Sequence, residues 1–169
     1  ELEAKKDQVN GKIVFYNYKF NPTLVNVFHA YRDASQYRSH GPGRAAKYGA
    51  LAVIVRSLSE STDNIPHTGL TQYDSAYSMI PAVAIGLKDA DFLSEKLANG
   101  KVSVFIRTNG RFLTDTIGHN VIGELKGTQF PNEYITIGGH LDSWDPAEGA
   151  HDDGTGIVQT IEVLRVLKA

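Results

Sequence analysis

Five consecutive apolar residues, Leu51-Ala52-Val53-Ile54-Val55, follow a short helix-forming stretch, Arg44 to Tyr48, with only Gly49 and Ala50 between. A strand apolar at every position has no solvent side and must be covered on both faces. Gly49 suits the left-handed cap that stops a helix, so helix, turn and buried strand follow in the order of layered α/β packing. Ile80 to Ile85 reads as a further strand, with Pro81 placing its start near a sheet edge. Asp89 to Asn99 predicts a helix with Ala90, Leu93 and Leu97 on one face, ended by Gly100. Lys101 to Arg107 alternates Val102, Val104 and Ile106, the pattern of a half-buried strand. Upstream, Lys12 to Asn17 is β-branched and aromatic after Gly11 and also predicts a strand. Residues 18–40 lack steady periodicity and are read as mostly irregular, and residues 57–80 as a long surface loop.

The character changes around Asn109-Gly110. Asn120 to Leu125 and Tyr134 to Ile137 predict two strands joined by the turn-rich residues 126–132. A helix is expected from about Thr155, with Ile157, Ile161, Leu164 and Leu167 on one stripe. It reaches Ala169 without a stop signal. These features place a boundary near residue 112, giving units 1–112 and 113–169, the second expected to continue beyond this chain. The start, Glu1-Leu2-Glu3-Ala4-Lys5-Lys6, does not resemble a secretory signal and reads as mid-protein sequence.

Composition narrows the function classes. The chain is 41% hydrophobic and 21% charged, ordinary for a globular protein. With a net charge of −2 and no basic stripe, nucleic-acid binding has no electrostatic basis. No apolar run approaches the roughly 18 residues of a membrane span. Without cysteine there is neither a disulfide framework nor a thiolate zinc site, and the compartment stays open. From Thr128 onward seven acids face only Arg165 and Lys168, a balance that suits a cation.

That acidic quarter holds the chemistry. Gly138-Gly139-His140-Leu141-Asp142-Ser143-Trp144-Asp145 is followed by Gly149-Ala150-His151-Asp152-Asp153-Gly154-Thr155-Gly156. His140 and Asp142 leave the end of an apolar strand, where open α/β sheets present ligand-binding groups. Asp152 and Asp153 immediately precede a helix, whose dipole favours negative charge there. Imidazole nitrogen and carboxylate oxygen together suit a borderline-soft dication.

These two segments resemble the metal-binding stretch of the di-zinc aminopeptidase and glutamate carboxypeptidase family. Weaker similarities run upstream through Val9 to Val14, Lys47 to Ala52, Ile54 to Ser57 and Pro66-His67-Thr68-Gly69, which resemble that family's protease-associated domain. The resemblance implies a β-rich sandwich or barrel over residues 1–112, then the first strands and helix of a mixed-sheet exopeptidase domain over 113–169. It implies His140 as a ligand of one zinc and Asp152 as the carboxylate bridging two zinc ions. Asp142 would accept a hydrogen bond from the His140 ring, and Asp153 would steady the bridging carboxylate. The substrate would be a peptide or dipeptide, attacked by metal-activated water. A secreted, periplasmic or cell-envelope location is implied, and a homodimer is compatible. The general base and the other ligands belong to later parts of the family pattern, so this chain alone is expected to be inactive.

Without the wider motif, His140 and Asp152 would be a polar loop with acids capping the next helix. Asp145 and Glu148 are read as solvated loop acids. A calcium loop using Asp142, Asp145, Asp152 and Asp153 is disfavoured because imidazole is a poor ligand for a hard cation. Gly41-Pro42-Gly43-Arg44-Ala45-Ala46 matches a dinucleotide fingerprint formally but lacks the preceding apolar strand. His67 is read as a hydrogen-bonded loop histidine rather than a substrate contact. The alternative from another class is a non-catalytic protease-associated interaction module.

Overall fold

The structure, a computed structural model, describes residues 2–144 and 147–169. The chain divides into two compact units, Glu1–Phe112 and Leu113–Ala169. Its class is α/β, built on a small parallel sheet.

In the first unit a 3-10 turn, Glu3–Lys5, leads into α1 (Lys6–Val9) and then β1 (Ile13–Tyr16). Two helices follow, α2 (Val27–Ser39) and α3 (Gly41–Ala46), before β2 (Ala52–Arg56), β3 (Ala82–Ile85) and α4 (Leu87–Ala98). The strands pair in parallel in the order β1-β2-β3, with Val14 beside Val53 and Ile54 beside Val83. Central β2 is buried at every position, which is why its sequence carries no polar alternation. On one side Val53 and Val55 pack with Val9, Ala45, Ala50 and Ile80, flanked by Val14, Tyr16 and Tyr48. Pro81 stands just outside the edge strand β3, its carbonyl accepting from the Val53 amide at 2.9 Å.

Three expectations are corrected. Residues 18–40 are not mostly irregular, since α2 occupies thirteen of them, capped by the Asn26 side chain on the Phe28 amide at 2.9 Å. Unit 1 is accordingly not β-rich: its short strands form one open sheet with helices around it. The expected strands at 101–107, 120–125 and 134–137 form no ladder among the described residues. Alternation marks a strand's faces, but a strand exists only against a partner, and these segments have none to pair with here. Val121, Ile122 and Ile135 are accordingly exposed.

Among the described residues of the second unit the regular element is α5 (Gly154–Lys168). Gly156, Ile157, Thr160 and Leu164 make up its half-buried stripe, whereas Ile161 and Leu167, expected on that stripe, are exposed. Among the described residues no helix is long and apolar enough to cross a membrane.

Candidate metal centre

The candidate residues lie at and before the N-terminus of α5. Asp153 is its N-cap: one carboxylate oxygen accepts from the Gly156 amide at 3.2 Å, the other from the His140 backbone amide at 3.1 Å. A single side chain thus satisfies an orphan amide of the helix and clips the 138–140 segment onto it. The approach leaves no space for a side chain at residue 139. A Cβ on Gly139 would stand 2.8 Å from the Ile157 amide nitrogen and 2.9 Å from an Asp153 carboxylate oxygen. The intervening turn closes through Gly149, at φ +68°, whose carbonyl accepts from the Gly154 amide at 2.8 Å. The Asp152–Asp153 peptide is cis.

This clip sets the His140 ring between two aspartates. Its Nδ1 lies 2.9 Å from the Asp142 main-chain carbonyl and 3.2 Å from the Asp142 carboxylate. Its Nε2 lies 2.9 Å from Asp152 Oδ1. A carbonyl can only accept, so Nδ1 carries a hydrogen and donates it. Nε2 also faces an acceptor, the Asp152 carboxylate, and two lone pairs do not hold each other at that distance. With acceptors at both nitrogens the imidazolium is favoured over the neutral ring, and a cation at Nε2 would take the place of its second proton. The Asp142 carbonyl first, and the Asp152 carboxylate second, raise the His140 pKa above the ordinary imidazole value. The three side chains are accessible, His140 half exposed and both aspartates more so.

The donor set fits a zinc-like dication: one imidazole nitrogen with its far side tied off, facing one carboxylate oxygen. His140 and Asp152 could hold it, with Asp142 orienting the ring. Among the described residues no cluster of three or more His, Cys, Asp and Glu converges to hold a metal. Asp153 turns its oxygens to two backbone amides, a clip that residue types alone do not announce. The Asp142 carbonyl, nearer the ring than its carboxylate, was equally invisible to side-chain reasoning. Asp145 lies outside the described residues. Glu148 is exposed. His67, in unit 1, has its Nδ1 2.9 Å from the Leu58 carbonyl and its amide on the Ser57 hydroxyl at 2.7 Å, as a hydrogen-bonded loop histidine does.

Comparison with known proteins adds lineage to this geometry. Residues 120–169 match the family model described as Peptidase family M28. Carboxypeptidase Q of Homo sapiens is 34% identical over 99% of this chain and 34% of its own length. A crystal structure of a peptidase M28 precursor from Shewanella amazonensis is 33% identical with a TM-score of 0.50, covering 54% of this chain and 20% of that one. The chain is similar to the M28 peptidases. Probable leucine aminopeptidase 2 of Aspergillus fumigatus is 32% identical over 73% of this chain and 24% of that protein. The chain spans about a third of the length of carboxypeptidase Q. The M28 match takes in His140, Asp142, Asp152 and Asp153, and the similarity to carboxypeptidase Q continues through the first unit.

Proposed function

We propose that this chain is part of a zinc-dependent exopeptidase that hydrolyses peptides or dipeptides. Residues 1–112 would be its protease-associated domain and residues 113–169 the opening of its catalytic domain. The carrying observation is the His140 ring, fixed through Nδ1 and presenting Nε2 to the Asp152 carboxylate at 2.9 Å. The names of the relatives, carboxypeptidase Q and a leucine aminopeptidase, support a peptidase and leave the preferred end of the peptide open.

In this reading His140 Nε2 and the Asp152 carboxylate would hold the metal, which supplies Lewis-acid activation of water and of the scissile carbonyl. Asp142 keeps the imidazole hydrogen on Nδ1, so Nε2 stays the coordinating atom. Asp153 fixes the His140 backbone against α5, which sets where the ring can stand. Nothing among the described residues is assigned as general base, so residues 1–169 alone should hydrolyse dipeptides or aminoacyl amides no faster than background, with or without added zinc.

The test uses the full-length protein. Asp152→Ala should lose bound zinc and activity together. Asp142→Asn keeps the main-chain carbonyl on Nδ1, so its loss should sit near the lower end of the roughly 10- to 100-fold range for ligand-orienting partners. Asp145→Asn should be close to neutral. Full zinc content and rate in Asp152→Ala would overturn the ligand assignment.

A further inference from the structure

Asparagine followed by glycine and then a basic residue occurs three times: Asn10-Gly11-Lys12, Asn99-Gly100-Lys101 and Asn109-Gly110-Arg111. Such a pair carries its own chemistry. When the glycine amide nitrogen gives up its proton it can attack the asparagine Cγ, and a residue without Cβ leaves that approach open. The N–Cγ bond forms, the Cγ–Nδ2 bond breaks, and ammonia leaves with a proton taken up in exchange for the one lost. A water molecule then opens the succinimide ring at either carbonyl, giving aspartate or isoaspartate. Because the residues at and after each pair are matched, the fold decides which of the three reacts.

Asn10-Gly11 is held at the entry to β1. The Gly11 amide donates to the Gly49 carbonyl at 2.9 Å, and the Leu51 amide returns a bond to the Lys12 carbonyl at 2.8 Å. Gly11 stands at φ +70°, and the Asn10 carboxamide packs where a Cβ on Gly49 would be. Freeing the attacking nitrogen therefore means opening the end of the sheet. Asn99 caps the C-terminus of α4, and its carboxamide donates to the Glu95 carbonyl at 2.9 Å. Asn109-Gly110 has neither restraint. Both residues are exposed and outside helix and strand. Among the described residues neither the Asn109 carboxamide nor the Gly110 amide has a hydrogen-bond partner, and a Cβ on Gly110 would meet nothing within 4 Å. We propose that Asn109 is a site of spontaneous deamidation, selected over Asn10 and Asn99 by the freedom of its carboxamide and of the Gly110 amide. The product places a negative charge between Arg107 and Arg111, and as isoaspartate it lengthens the backbone close to Phe112, where the first unit ends.

The experiment ages the whole 169-residue chain in mildly alkaline buffer and follows the three pairs by mass-spectrometric peptide mapping. Asn109 should convert first, and faster as pH rises. Breaking one backbone hydrogen bond before attack should slow Asn10 by roughly fivefold or more relative to Asn109. In guanidinium chloride, with the fold lost, the three rates should draw together. Gly110→Val crowds the attacking nitrogen in open space and should slow Asn109 while leaving Asn10 and Asn99 at their own rates. A rate at Asn109 no greater than that at Asn10 or Asn99 in the folded chain overturns the proposal. So does a preference of the same size in guanidinium chloride, which would trace to the preceding residues Val9, Ala98 and Thr108 rather than to the fold.

Discussion

In residues 1–112 the central strand β2 is sealed along its length, and Val53 has no exposed surface. In residues 113–169 the helix α5 buries none of its residues fully, and the groups around His140 are arranged almost entirely by hydrogen bonds. The first unit is ordered by excluding water from apolar surface. The candidate metal centre is ordered by one aspartate, Asp153, spanning two amides 16 residues apart in sequence, Gly156 and His140, over a glycine that gives way. Burial resists substitution through volume and polarity, whereas a polar clip fails when one acceptor is lost.

The largest expected effect attacks the burial side. Val53→Asp places a carboxylate in the sealed strand between β1 and β3, with no partner to receive it. The cost should be on the order of 4 kcal/mol or more, enough to abolish a cooperative urea transition in residues 1–112 expressed alone. The unmodified 1–112 segment should show that transition. A broad, non-cooperative loss of signal from it would mean that its core depends on residues outside it, and the contrast between the units would break.

A smaller effect is expected from the clip. Asp153→Ala removes the N-cap of α5 and the anchor of the His140 amide together, at about 1–2 kcal/mol for the cap. Helical ellipticity of the 169-residue chain should fall, with the tyrosine signal of the first unit unchanged. Gly139→Ala should act in the same direction, because its Cβ would have to displace the helix amides that Asp153 holds. If Asp153→Ala left the helix intact, packing rather than the clip would be holding this region.

What was readable in the sequence follows the same division. β2, β3 and α4 were legible because apolar blocks bounded by glycine or proline leave few alternatives. α2 was not. Its buried positions are Ala30, Ala34 and Arg38, a stripe of two small residues and one charge, while Val27 and Phe28 point outward. No hydrophobic period marks such a helix, and Asn26 was the single local sign. The alternating segments 101–107, 120–125 and 134–137 carried a strand pattern, but pairing depends on a partner that no single segment encodes. At the candidate metal centre, residue types in close succession singled out His140, Asp142, Asp152 and Asp153. Which oxygen meets which hydrogen came only from the folded loop, and it turned Asp153 from the side of Asp152 to the backbone.

The smallest expected effect sharpens the comparison from inside the first unit, where one polar pair joins the sheet to α4. Arg56, 8% exposed at its side chain, donates to Asp91 at 2.7 Å, and Lys19 stands 3.2 Å from the same oxygen. The hydrogen bond from Arg56, then that from Lys19, lowers the Asp91 pKa below the ordinary carboxylate value. A carboxylate whose folded pKa is depressed stabilises the fold fully above its unfolded value of about 3.9, and the contribution is lost as pH falls through the folded value. Because the Asp91 side chain is 56% exposed, solvent screens much of that interaction. Asp91→Asn should therefore cost only about 0.5–1 kcal/mol at pH 7, and the difference from wild type should shrink as pH drops below about 4. Lys19→Met removes the exposed partner and should change stability by less than about 0.5 kcal/mol, with what effect there is fading at high salt. Urea midpoints at pH 7 and pH 3 measure both. A loss in Asp91→Asn as large at pH 3 as at pH 7 would show that the side chain contributes by shape rather than charge, and would leave Arg56 held chiefly by Asn17.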